Sequence, residues 1–251
     1  MFSLCVPTMD RYDNFISKNL IHYLDNELIN EIIITDENGN DINKIILNFK
    51  NHDNFKKIFT VKNEKQLGPF LNKYKACMIA KNEWISLIDS DNFADKKYFE
   101  IAKKYIDIKI GNKKNIILAP SKALPNFDYS HLNGLIYKKG NFKQNNEFEK
   151  INKKSHNTKS IVLMNTGNYI MNKELINQLD LKQEINNINN SPSCDVIYFN
   201  TLLFEQMDLN LHVVPNLEYS HVVHDGSIYT QTHNNYIEFN NLVHNRFENL
   251  I

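Results

Sequence analysis

Apolar residues along this chain fall in short runs separated by polar turns, and the two periods alternate. Residues 2–6 (Phe-Ser-Leu-Cys-Val) predict a buried strand stopped by Pro7, with Thr8 or Asp10 capping the next segment. Phe15, Ile16, Leu20, Tyr23 and Leu24 then follow helical spacing. Ile32–Ile34 and Ile58–Val61 predict two more strands, with a polar turn over Asp36–Asp41 and a weak helix over 43–50 between them. Gly68-Pro69 opens a helix over 70–81, Trp84–Ile88 predicts a fourth strand, and a helix covers 95–106. Strands alternating with helices at this interval predict a parallel sheet with helices on both faces.

Beyond residue 107 the pattern loosens. Ile116–Ala119 predicts a fifth strand ended by Pro120, and residues 120–160 are polar, with Gly134 and Gly140 and a run rich in Lys and Asn. They predict a loop or hairpin over the site. Residues 161–171 alternate like a strand, broken at Asn165-Thr166-Gly167-Asn168, and a short helix fits 173–179. A polar loop over 180–192 leads to a helix over 194–207 with Ser193 as its cap. Leu211–Val214 predicts a last strand ended by Pro215, residues 216–232 read as irregular, and an amphipathic helix spans 234–249. The expected organisation is one domain over 1–251: an N-terminal half to residue 107, a second half over 108–232, and a closing helix over 233–251.

Composition narrows the class. The 251 residues are 42% apolar, enough for a single core. Lys and Arg number 29 and so do Asp and Glu, so no net basic charge supports a nucleic-acid partner. Three widely spaced cysteines, Cys5, Cys77 and Cys194, have neither zinc nor redox spacing and fit a reducing setting. No signal-like or membrane-spanning apolar run is present, so a cytoplasmic location is expected, with peripheral membrane attachment open. Nothing in the sequence sets an oligomeric state.

The chemistry concentrates at the end of the fourth strand. Ile85-Ser-Leu-Ile-Asp-Ser-Asp91 is an apolar run ending in two carboxylates one residue apart. Ligands of open α/β sheets bind outside the carboxyl ends of the strands. Two carboxylates there can hold a divalent cation, and the cation a diphosphate. The competing role for such a pair is helix capping, by Asp91 or Asp95.

These residues resemble a family. Ser3-Leu4-Cys5-Val6-Pro7-Thr8, the strand Glu31–Asp36, Leu67-Gly68 followed by Lys73 and Ala76, and Trp84–Asp91 resemble the N-terminal half of a GT-A fold glycosyltransferase, similar to glycosyltransferase family 2. The likeness covers about 100 residues, and the second half matches more loosely. It implies an α/β fold of the Rossmann-like nucleotide-diphospho-sugar transferase type, with a mostly parallel central sheet flanked by helices. It implies an enzyme that moves a sugar from a nucleotide-sugar donor, a UDP-sugar by preference, to a hydroxyl on a glycan or another acceptor. Mn²⁺ or Mg²⁺ is the implied cofactor, and inversion by one direct displacement the implied course.

Residue by residue, the resemblance places Pro7, Thr8 and Asp10 beside the nucleoside, Asp36 on base or ribose, and Lys73 near ribose or diphosphate. An Arg-Asn pair of many relatives is replaced by Lys75 and Cys77 in that neighbourhood. Asp89 and Ser90 would face the ribose or a metal-bound water, and Asp91 would ligate the cation. Asp195, in the first turn of the 194–207 helix, is the implied base, with Glu205 as the fallback; a helix N-terminus favours its ionised form. Tyr219–Ser227 carries His221 and His224, and the resemblance offers one of them, His224 before His221, as a further metal ligand. Asn165–Asn168 would line the donor-sugar or acceptor side.

Three other classes compete. A haloacid-dehalogenase-type phosphatase carries its Asp-x-Asp on the first strand and a Thr or Val where this chain has Phe93. A sugar nucleotidyltransferase expects a glycine-rich loop after its first strand, and Pro7–Arg11 has no glycine. A non-catalytic nucleotide-sugar or glycan-binding domain would not require Asp89, Asp91 and Asp195 together.

Overall fold

The first strand, β1 (Phe2–Thr8), is buried at every position. It pairs in parallel with β2 (Ile29–Asp36) on one side and with β4 (Trp84–Leu87) on the other. Outside β2 lies β3 (Ile58–Lys62), also parallel. The computed structural model describes residues 1–141, 163–164, 169–189, 195–227 and 237–250. Residues 142–160, the Asn165–Asn168 break, Ser193 and Cys194 lie outside them.

The second half adds β5 (Ile116–Leu124), β6 (Phe127–Asp128), β7 (Ile136–Tyr137), β8 (Ile170–Asn172) and β9 (Asn210–Ser220). The sheet order is β3-β2-β1-β4-β8-β5-β9-β7, with β6 paired to β5. The first four strands are parallel, as is the long β5–β9 pair, while β8 is inserted antiparallel between β4 and β5. The expected α/β sheet flanked by helices is therefore found.

Two cores cover the two faces, as period-two alternation requires. Leu4, Val6, Ile32 and Ile34 point to one side, against α1 (Ser17–Leu24), α2 (Asn40–Phe49) and α4 (Lys96–Tyr105). Cys5, Ile33 and Leu87 point to the other, against α3 (Pro69–Ile79), α5 (Lys173–Gln178), α7 (Asp195–Gln206) and α8 (Ile237–Glu248). The one-turn α6 (Ile185–Ile188) precedes α7. Val196 through Phe204 are all buried, so α7 is an interior helix, apolar nearly all round. No described helix is long and apolar enough to cross a membrane.

Several boundaries differ from the sequence expectation, and prolines account for most. Pro7 does not end β1; it pairs in register with Thr35. The carbonyl of Cys5 accepts Ile88 N–H on the β4 side, and β4 ends there, so the missing N–H of Pro7 faces no strand. Pro120 and Pro215 likewise fail to stop β5 and β9. The register shifts between Pro120 and Lys122, and Asn216 adopts a left-handed φ of 61°, so a bulge absorbs both prolines. Residues 216–220, expected to be irregular, continue β9, and the polar 120–141 stretch holds β6 and β7. The helical segment that begins at Tyr12 is capped by neither Thr8 nor Asp10. The buried carboxylate of Asp41 does this from α2, accepting Arg11 N–H (3.0 Å) and Tyr12 N–H (2.9 Å) together with the Thr8 hydroxyl.

A charge cluster locks α8 to α7. Arg246 donates to both oxygens of Glu184 (2.8 and 2.9 Å) and of Glu205 (2.8 and 2.6 Å), with its guanidinium 5.6 Å from the Tyr198 ring centroid. Glu205, the fallback base, is thus committed to an ion pair. The Arg246 hydrogen bonds hold the Glu184 carboxyl down at about 2. Arg246→Met is expected to cost about 1–3 kcal/mol of stability at pH 7 in urea denaturation. Because the folded pKa of Glu184 lies below its ordinary 4.5, its contribution is present above that pH and is lost as pH falls toward 2. The gap between wild type and variant should therefore narrow over that window.

Candidate active site

The Asp-Ser-Asp run leaves the sheet where β4 stops. Asn92 N–H returns to the carbonyl of Asp89 (2.9 Å), which shapes the turn. Asp95 caps α4 by accepting Tyr98 N–H (3.0 Å), so Asp91 is not spent on that helix. The turn is held from the far side of the sheet by β9: Phe93 and Ser220 exchange backbone hydrogen bonds (3.0 and 2.8 Å), and Asn92 Oδ1 accepts Val222 N–H (2.9 Å).

Lys73 joins the two halves. It stands one turn into α3, behind Gly68 (φ 81°) and Pro69, and only 8% of its surface is exposed. Its Nζ lies 2.9 Å from Asp89 Oδ1 and 2.8 Å from Asp195 Oδ2, at the first residue of α7. Burial alone would lower the ammonium pKa, but Asp195 and then Asp89 outweigh it and raise it. Burial pushes the Asp195 carboxyl up, and Lys73 works against that shift.

Asp91 meets His224, with Oδ2 and Nε2 3.1 Å apart. Burial, and then the charge of Asp89, raise the Asp91 carboxyl pKa, and His224 works against that shift. Mg²⁺-type ions bind oxygens at about 2.1 Å in octahedra, which puts adjacent ligands about 3 Å apart. The Asp91–His224 pair has that spacing. Among the described residues no three acidic, His or Cys side chains form a ready metal cage. A carboxylate and an imidazole completed by diphosphate oxygens and water is the ordinary arrangement for such an ion. The residues therefore fit the cation.

The other expected residues are placed as follows. His221 has its Nδ1 2.8 Å from the Asn126 amide and its ring 5.2 Å from Phe127; burial lowers its pKa, with Asp91 and then Asp89 acting against that shift. Ser90 is partly exposed on the turn itself. Pro7 and Thr8 are buried at the end of β1. Asp36 is fully buried, and its oxygens accept Asn38 N–H (3.2 Å) and Ile42 N–H (3.0 Å). It organises the turn after β2. Asp10 is exposed, with φ 55°, and its carboxylate accepts the amides of Asn38 and Asn40 (both 2.8 Å). Sequence reasoning missed Asp41, Asn92 and the partner of Arg11. Each works through a contact at least 29 residues distant, so no local pattern marks it.

Residues 3–110 match the model of glycosyl transferase family 2. The chain carries the GT-A fold. No curated protein matches it. Among solved structures, S. aureus TarS 1-349 in complex with UDP-GlcNAc is similar at 15% identity and a TM-score of 0.66, over 99% of this chain and 67% of that one. A mannosyltransferase, PcManGT from Pyrobaculum calidifontis in complex with GDP-Man and Mn²⁺, is similar at 11% identity and a TM-score of 0.57, over 92% and 59%. This chain spans 66% of the TarS 1-349 structure and 38% of a longer TarS structure. The resemblance read from residues 3–91 holds, and the GT-A fold extends it to the second half.

If Lys73 is the cation that reconciles Asp89 with Asp195, Lys73→Met leaves two facing carboxylates without it. A loss of about 3 kcal/mol is expected by chemical denaturation at pH 7. Lys73→Arg, which keeps the charge, should lose less.

Proposed function

We propose that the chain is a glycosyltransferase, moving a sugar from a nucleoside-diphosphate sugar to an acceptor hydroxyl with the help of Mn²⁺ or Mg²⁺. The observation that carries this is the placement of Asp89, Asp91, Lys73, Asp195 and His224 together at the carboxyl end of β4 in a GT-A fold. UDP is the preferred nucleotide, supported by the similarity to TarS bound to UDP-GlcNAc. Residues 1–107 would then hold the nucleotide, residues 108–232 the acceptor, and the C-terminal helix would brace α7.

Each residue has a part. Asp91 and His224 would hold the cation, which when bound neutralises charge on the leaving diphosphate. Pro7, Thr8, Asp10 and Ser90 would border the nucleoside and ribose, with Asp36 acting through the turn it organises. Asp195 would accept the proton of the acceptor hydroxyl as that oxygen bonds to the anomeric carbon and the bond to the diphosphate breaks. Attack opposite the leaving group inverts the anomeric centre. Lys73 holds Asp195 at 2.8 Å and opposes the upward pull of burial on its carboxyl. The same ammonium balances Asp89 while the donor is absent.

The test is release of nucleoside diphosphate from a panel of nucleotide sugars, with and without Mn²⁺. Metal-dependent release is expected, reduced at least about a hundredfold in Asp91→Ala. Asp195→Asn should lose transfer by a similar factor while its calorimetric affinity for UDP changes little. Thermal stabilisation by UDP without turnover on any donor and acceptor would favour a binding domain instead.

A further inference from the structure

We infer that Arg11 is a positioning residue for His224, tying the nucleoside end of the site to its cation end. Arg11 Nη2 donates to the carbonyl of Gly226 at 2.6 Å, across 215 residues of sequence. Gly226 belongs to the turn that carries His224, closed by Ser227 N–H on the His224 carbonyl (3.0 Å). The packing there is tight. A Cβ on Gly226 would lie 3.1 Å from His224 Nδ1 and 3.5 Å from Arg11 Nη1. Phe15, four residues beyond Arg11 on the same helical segment, sets its ring 5.0 Å from the His224 imidazole.

The other end of Arg11 is equally fixed. Its backbone N–H is held by the buried Asp41, which also binds Tyr12 N–H and the Thr8 hydroxyl. A continuous path therefore runs from the turn after β2, through Asp41 and Arg11, to Gly226, His224 and Asp91. A guanidinium beside a proposed diphosphate site would ordinarily be assigned to phosphate. Here its Nη2 is spent on a main-chain carbonyl, and what that bond fixes is the loop bearing the imidazole. Partners that orient a metal-bound His tune the affinity for the metal. This role rests on the cation reading of Asp91 and His224 given above.

The test uses the full chain and two readouts besides activity. UDP binding is measured by calorimetry across a Mn²⁺ series, and hydrogen exchange of residues 221–227 is followed without metal. Arg11→Ala should raise the Mn²⁺ concentration for half-maximal UDP binding about tenfold, leave UDP affinity at saturating Mn²⁺ within about twofold, and speed exchange in 221–227. Arg11→Lys should recover part of the loss, and Gly226→Ala should reproduce it from the other side of the contact. His224→Ala should cost at least as much, with no further loss in the Arg11→Ala/His224→Ala double variant. A drop in UDP affinity that persists at saturating Mn²⁺ would make Arg11 a phosphate contact and overturn the role. A raised Mn²⁺ requirement in His224→Ala with a normal one in Arg11→Ala would overturn the tether alone. An unchanged requirement in His224→Ala would overturn the cation reading of that residue.

Discussion

A single buried ammonium decides whether this site can exist. Asp89 and Asp195 come from opposite halves of the chain and converge on one ammonium with their side chains only partly exposed. Two carboxylates brought this close would repel each other. Lys73, at 2.9 and 2.8 Å from them, converts the repulsion into attraction on both sides. It bridges α3 and α7, which also meet through Phe70 against Tyr198 and Phe199. Asp91 lies outside this arrangement, with an imidazole as its partner. The acidic cluster therefore separates into two carboxylates that share one ammonium and a third that meets an imidazole.

The N-terminal half was legible because its code is local. Each strand is a short β-branched or aliphatic run, each helix has an apolar stripe, and the Asp-Ser-Asp run falls where a strand must end. The second half was less legible because its strands break the usual punctuation. Pro120 and Pro215 lie inside β5 and β9, and a bulge with a left-handed Asn216 absorbs them. A rule that ends strands at proline holds where the missing N–H would face a neighbour. It fails at Pro7, where β4 has already turned away.

The site divides along the same line. Asp89 and Asp91 stood out as a carboxylate pair at a strand end, and Asp195 was picked out by the resemblance. The sequence offers both His221 and His224, whereas in the structure one ring packs on Phe127 and the other meets Asp91. Asp36 illustrates the reverse case. A carboxylate at a strand end looks available for a ligand, yet this one is consumed by two backbone N–H groups of its own turn.

The path of β9 bears on the order in which the chain becomes competent during synthesis. β4 and β9 are not sheet neighbours, yet the Phe93–Ser220 bridge draws their ends together and sets His224 on Asp91, 133 residues away. β8 and β5 lie between them in the sheet, so this contact closes a long loop at a cost in chain entropy. A nascent chain emerges N-terminus first, so the strand that presents Asp91 is complete long before its partner exists. The Asp91–His224 end of the proposed site accordingly waits for the residues after β9, and a product cut short before β9 would lack it.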